Sequence, residues 1–248
     1  FDNVSSVRNL YNASESGAVT TLTGSVAVGS TEFLAIYPDR GEANGAPRLT
    51  RSGDVIKDCY VAQTQRPAAG AIYPTSAYMI AKADDVDKLE FINLTSIVRF
   101  NIAPELTNVR SITLIGNNNE AISGTFQVDW NNGDPIVTPT SPDTYVTIAK
   151  ANGDSLTPGD YYFVILPTEF KNGFTVILSK QDGTQIAKTT QKAFPSLAEG
   201  NKILPMKPVA VSDYAPHMNY FLKYNDGFNV IAEEVTESDG YYEFIIKH

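Results

Sequence analysis

Two histidines, His217 and His248, and one cysteine, Cys59, are the only imidazoles and the only thiol in a chain of 248 residues. A Ser–His–Asp relay, an HExxH zinc site or an imidazole general acid would have to be built on one of those histidines. His217 sits in Tyr214–Tyr220 (YAPHMNY), beside a proline and among aromatics. That context reads more simply as linker or packing than as catalysis. A single cysteine excludes an internal disulfide and a cysteine-based zinc cage. Cys59, in the apolar run Asp58–Ala62 (DCYVA), reads as a small core residue. No GxSxG, GxGxxG or P-loop spacing occurs.

Carboxylates offer a second chemistry. Asn117–Glu120 (NNNE) and Asp129–Asp134 (DWNNGD) invite a calcium reading, because hard cations take clustered carboxylate and carbonyl oxygens. Neither has the acids or the spacing of a D-x-[DN]-x-[DN]-G loop, and both read as solvated turns. Asp84, Asp85 and Asp87 also cluster, but ADDVD reads better as an interdomain turn. Trp130, Tyr145, Tyr161 and Tyr162 could stack on sugar rings, or could be buried strand aromatics. The expectation is therefore no catalytic residue, no metal and no cofactor. A hydrolase using paired carboxylates without histidine is the disfavoured exception.

The elements that would carry these residues are strands. Hydrophobic residues make up 42% of the chain and charged residues only 19%, which suits a packed core rather than disorder. Gly and Pro number 17 and 14, and Tyr and Phe 13 and 12, a composition of strands and turns. A net charge of −9 without a Lys/Arg-rich stretch argues against nucleic acid. No apolar run approaches the roughly 18 residues of a membrane span. The first residues show neither the charged nor the apolar region of an export signal.

Short apolar or alternating segments recur, separated by turn dipeptides such as Asn152-Gly153 and Asp182-Gly183. Strands are predicted at 18–28, 32–37, 55–63, 77–82, 89–102, 109–115, 122–130, 144–149, 159–166, 173–180, 184–190 and 200–209. A slip within Leu89–Ile102 suggests a bulge. The expected architecture is all-β, with two antiparallel β-sandwich domains at 1–87 and 88–210. Residues 211–248 form a C-terminal β extension or the start of a further domain. This tail carries strand-like pieces at 219–224, 228–235 and 241–247 and is too short for its own core. It is expected to pair with the second domain, with a partner chain, or with sequence beyond His248.

From Phe33–Pro38 (FLAIYP) the chain resembles the Bacteroidetes fimbrillin family, pilin-like and minor-fimbria-like surface proteins regarded as cell adhesins. The resemblance continues through Gln63–Gln65 (QTQ), Ala81–Ala83 (AKA) and Leu89–Phe100 (LEFINLTSIVRF). Asn117–Gly124 (NNNEAISG), Gly159–Phe174 (GDYYFVILPTEFKNGF) and Asn201–Leu204 (NKIL) follow in the family's order. It implies tandem sandwiches of transthyretin-like, Greek-key type, export to the cell surface and outer membrane, and a lipid anchor removed or absent from this chain. It also implies no enzyme activity, and assembly into a fimbrium by donor-strand exchange with other subunits or with itself. No family motif surrounds Arg8, so no cleavage site is carried over to it. The alternative is an N-terminal spacer, or a module binding host or bacterial surface glycan or protein, within a larger surface lipoprotein. Asp154-Ser155-Leu156 resembles the Asp-Ser/Thr-apolar acceptor of Bacteroidetes O-glycosylation, which makes Ser155 a candidate modification site; an ordinary turn serine is the alternative.

Overall fold

The computed structural model describes residues 1, 12–13, 22–39, 49–130, 134–195, 203–205, 231–238 and 241–247. The chain is all-β, with no α-helix among the described residues. Strands β1 (Asn12–Ala13) and β2 (Leu22–Thr23) pair with each other. The strands β3 (Phe33–Tyr37), β4 (Thr50–Ser52), β5 (Val55–Val61), β6 (Thr64–Gln65), β7 (Met79–Ala83) and β8 (Ile92–Asn93) follow. Next come β9 (Ser96–Ile102), β10 (Val109–Gly116), β11 (Ser123–Asp129), β12 (Ile136–Asp143), β13 (Tyr145–Ala149) and β14 (Gly159–Ile165). The last are β15 (Phe174–Lys180), β16 (Gln185–Thr190), β17 (Ile203–Pro205), β18 (Ile231–Ser238) and β19 (Tyr241–Lys247).

Alternation in the sequence becomes the two faces of these strands. Along β9, Ser96, Val98, Phe100 and Ile102 are buried while Ile97, Arg99 and Asn101 are half-buried. Two cores result. The first lies between a seven-stranded sheet, in the order β18-β19-β16-β15-β10-β13-β6, and a three-stranded sheet, β14-β9-β17. The larger sheet contributes Ile112, Leu114, Val146, Ile148, Val176 and Leu178, and the smaller Val98, Phe100, Tyr161, Phe163 and Ile165. The second core lies between β12-β11-β5-β4 and β3-β7-β8, and holds Leu34, Ile56, Cys59, Ile80, Phe126 and Val128. At its centre Tyr78 meets Phe126 edge-on, with ring centroids 5.2 Å apart. Pairing is antiparallel except for β6 on β13 and β17 on β9.

Strand pairing crosses the 87/88 division expected from the sequence. β5 pairs with β11, and the second core takes Leu94, Phe126, Val128 and Leu166 from beyond residue 88. The acidic stretch at 83–88 is the connection of a hairpin, because β7 pairs with β8 through Met79↔Asn93 and Ile80↔Ile92. Asp85 accepts the Asp87 N–H at 3.1 Å and pairs with Lys88 at 3.0 Å, closing that turn. A polar acidic loop looks the same in sequence whether it links two bodies or two paired strands. The slip within 89–102 is likewise a change of sheet rather than a bulge. β8 belongs to one sandwich and β9 to the other, with the buried pair Leu94 and Thr95 between them.

Two further differences concern strands. Ile136–Asp143, absent from the predicted strands, is β12, an edge strand on β11. In the tail, β18 and β19 form a hairpin, and β19 pairs with β16 through Lys188↔Glu243, Thr189↔Tyr242 and Thr190↔Tyr241. The tail therefore joins the seven-stranded sheet in the way expected of pairing with the second domain. The piece expected at 219–224 lies outside the described residues.

Candidate functional site

Among the described residues, those singled out for chemistry are not brought together. His217 and His248 lie outside the described residues. Cys59 is fully buried, and burial, reinforced by the charge of Asp58, pushes its thiol up to about 12. It stays protonated and out of nucleophilic chemistry at neutral pH. Among the described residues no three His, Cys, Asp or Glu side chains stand close enough to share a metal ion. One Glu120 oxygen accepts the Asn118 N–H at 2.8 Å, so NNNE closes its own turn. Asp85 is held below the usual carboxylate range by the Asp87 N–H and then by Lys88, both within the hairpin connection.

The four aromatics do not form one platform. Tyr161 is buried in the first core and its hydroxyl donates to the Thr157 carbonyl at 2.9 Å. Trp130 packs against the second core, where its backbone N–H donates to the Asp54 carbonyl at 3.0 Å. Tyr145 and Tyr162 are half-buried on β13 and β14.

The carboxylates with close ionic partners are structural. Arg51 Nη2 reaches Glu32 at 2.9 Å and Asp54 at 3.7 Å, and Lys82 Nζ reaches Glu32 at 3.3 Å and Asp54 at 3.0 Å. This alternating square ties β3 and β7 to the β4–β5 hairpin. Partial burial alone would lower Lys82, but hydrogen bonds to Asp54 and Glu32 outweigh it and hold its ammonium above the ordinary lysine value. Both acids are shared between the two cations.

Ser155 lies in the loop between β13 and β14, half-buried, and its neighbours are fixed. Asp154 is bound to Asn152 through its N–H at 3.2 Å and its carboxylate at 2.5 Å. Leu156 is buried in the first core and donates its N–H to the Val109 carbonyl at 2.7 Å. The apolar residue of the tripeptide therefore serves as a core anchor. If Ser155 is modified, protein from its native host will show an added mass that Ser155→Ala removes without altering the melting temperature. An unmodified wild-type mass leaves Ser155 as a turn serine.

What the sequence reading missed are the sheet edges, the surfaces where another strand could add. The outer edge of β14 is closed. Gln65, fully buried, places its side-chain amide against Val164: Nε2 donates to the Val164 carbonyl at 2.6 Å and Oε1 accepts the Val164 N–H at 3.0 Å. Gly70 N–H donates to the Asp160 carbonyl at 2.7 Å, and Ile72 bridges Tyr162 in parallel. A side chain and a loop thus imitate a missing strand.

The outer edge of β12 is blunted instead. Its register with β11 shifts where Ser141 pairs with Thr125 and Pro139 with Phe126, leaving Thr140 as the extra residue. The bulge brings Pro139 and Pro142 into the same ladder phase. Neither has an N–H to offer a strand arriving from outside. At β3, the Phe1 ammonium donates to the Leu34 carbonyl at 3.2 Å and Leu34 N–H donates to the Phe1 carbonyl at 3.0 Å, so one residue pairs there as a strand would. On the seven-stranded sheet, β19 occupies the edge of β16 over three residue pairs, against six between β15 and β16.

No protein-family model matches the chain, and no curated protein does. Among solved structures, a protein from Bacteroides uniformis titled "putative cell adhesion protein" is 16% identical, with 71% of this chain and 69% of that one covered and a TM-score of 0.44. A second protein of the same title, from Bacteroides ovatus, is 16% identical over 70% of this chain, with a TM-score of 0.41. The match spans 61% of the length of that second protein.

Proposed function

We propose that the chain is a non-catalytic structural and adhesive subunit of a bacterial surface fimbrium or fimbria-like assembly, exported to the outer membrane surface and joined to its neighbours by exchange of a strand. The observation that carries this reading is the β16–β19 pairing. A C-terminal hairpin adds to the edge of a seven-stranded sheet through three residue pairs. The same edge could accept the hairpin of a second copy with the same ladder bonds, since strand addition depends on backbone donors and acceptors rather than on which chain supplies them. The caps on β14 and the prolines on β12 leave fewer competing edges. The residue pattern resembling fimbrillins from 33 to 204 supports the same reading.

Deleting residues 211–248 tests it. The truncated chain is expected to keep its β circular dichroism and a cooperative melt, while higher assemblies seen for the full chain by light scattering and electron microscopy disappear. Assembly that survives the deletion would transfer the chain to the spacer reading. Loss of the cooperative melt would make the hairpin an integral part of the sandwich and end both.

A further inference from the structure

We infer that the end of the seven-stranded sheet where β10, β15 and β16 meet binds a neutral carbohydrate. The inference rests on the adhesive part of the proposed role and is independent of polymerisation. A surface concavity of about 520 Å³ there is lined by Asn117, Asn172, Thr175, Thr189 and Gln191. All five side chains are amides or hydroxyls, and none is charged.

Its floor is organised in advance. Both Asn117 Nδ2 protons are used, on the Asn172 carbonyl at 2.7 Å and the Thr190 carbonyl at 2.9 Å. That fixes the amide so that Oδ1 faces Thr175, whose hydroxyl donates to it at 2.8 Å. Thr175 Oγ1 and Thr189 Oγ1 are 2.7 Å apart, and because the Thr175 proton points to Asn117, Thr189 is the donor of that pair. The relay Thr189→Thr175→Asn117 leaves lone pairs on the Thr189 oxygen to accept from a ligand. Above this floor, the side-chain amides of Asn172 and Gln191 are exposed and have no hydrogen-bond partner among the described residues, and each offers donors and an acceptor.

The chemistry selects among ligand classes. A phosphate or carboxylate would want a cation in the lining, and a metal ion would want carboxylates. An apolar ligand would strip water from five polar side chains without replacing it. A sugar ring carries hydroxyls that both donate and accept, which is the complement of two free amides and a lone-pair acceptor. The surrounding face is uncharged but only partly open, since Ile177, Ala187 and Thr189 at its middle are buried. Its positions from Ser111, Thr113 and Ile115 on β10 to Gln185, Ala187 and Thr189 on β16 are uncharged, on a chain of net charge −9. Thr113 and Thr147 hydroxyls meet at 2.8 Å, and Gln185 donates to Ser179 at 3.0 Å, so hydroxyls and amides continue across it. In the register of β16 with β19, Tyr242 stands opposite Thr189.

The test is saturation-transfer NMR on the full chain with the methyl glycosides of glucose, galactose, mannose, fucose and N-acetylglucosamine, each at about 10 mM, a level that saturates sites of millimolar affinity. At least one is expected to bind with Kd on the order of 1 mM. The double variant Asn172→Ala/Gln191→Ala should weaken that binding by about tenfold or more without moving the melting temperature, and N-acetylneuraminic acid should not compete. No signal from any of the five glycosides, or equal binding by the double variant, would overturn the inference. Neither result would alter the light-scattering outcome that decides assembly.

Discussion

Gln65→Ala is expected to lower the unfolding free energy by about 3–5 kcal/mol, although it removes a residue from a two-residue strand. The size of the effect comes from what alanine leaves behind. Val164 is fully buried, and both its outward-facing backbone groups are satisfied only through the Gln65 amide. Each orphaned buried group costs about 1–3 kcal/mol, and the vacated volume adds to that. The Gln65 Nε2 bond to the Ala62 carbonyl, at 3.3 Å, is lost as well. Urea denaturation of wild type and variant measures the difference. A loss below about 1 kcal/mol would mean that water or a shifted chain replaces the amide, and that Gln65 does not cap the β14 edge.

Gln65→Glu separates the hydrogen-bond argument from the volume argument, because the shape is kept. An ionised carboxylate can accept the Val164 N–H but sets its other oxygen against the Val164 carbonyl. A protonated one can donate there. Burial and that carbonyl both raise the carboxyl's folded-state pKa above its unfolded value, near 4.3. The folded variant then holds its proton more tightly than the unfolded chain. The penalty relative to wild type should be smallest below about pH 4, grow as the pH rises through the interval between the two values, and level off above the folded one. A penalty independent of pH would remove the bidentate interpretation.

The contrast between Gln65 and the strands around it explains how much of this molecule can be read from its residues. β9 was legible because its alternation is local, and the β15–β16 hairpin was legible because Asp182-Gly183 states a turn. Gln65 looks like a surface polar residue until Val164, 99 positions away, is placed beside it. The second core was illegible as a unit for the same reason, since β11 joins β5 across 60 or more residues of chain. β12 was missed because two prolines in eight residues contradict a strand in the middle of a sheet while being tolerated at an edge. The absence of a catalytic constellation was an expectation from residue counts. The concavity at Asn117 had no sequence signal, because its five residues come from turns and strand ends between positions 117 and 191. Local pattern gives elements; pairing partners and edges depend on contacts that no local pattern encodes.

The last expectation concerns two glycines of the same hairpin that share a backbone conformation but not an environment. Gly173 has φ +72° and Gly183 φ +88°, both in the left-handed region that costs an L-residue about 1–2 kcal/mol. A Cβ at Gly183 would meet nothing within 4 Å, whereas one at Gly173 would lie inside the Thr190 carbonyl. Gly183→Ala should therefore cost only the conformational term. Gly173→Ala adds a backbone clash that can be relieved only by pushing the end of β16 away from the start of β15. That junction also holds Phe174, whose ring lies 5.3 Å from both Phe170 and Phe194, and the Asn117 amide that grips the Asn172 and Thr190 carbonyls. A total near 4 kcal/mol, or roughly 8–16 °C in melting temperature for a chain of this size, is expected for Gly173→Ala. Gly183→Ala should move the melt by roughly 2–8 °C. If the two variants melted together, the close approach of Gly173 to Thr190 would be absorbed without strain. The floor of the Asn117 concavity would then owe nothing to that glycine.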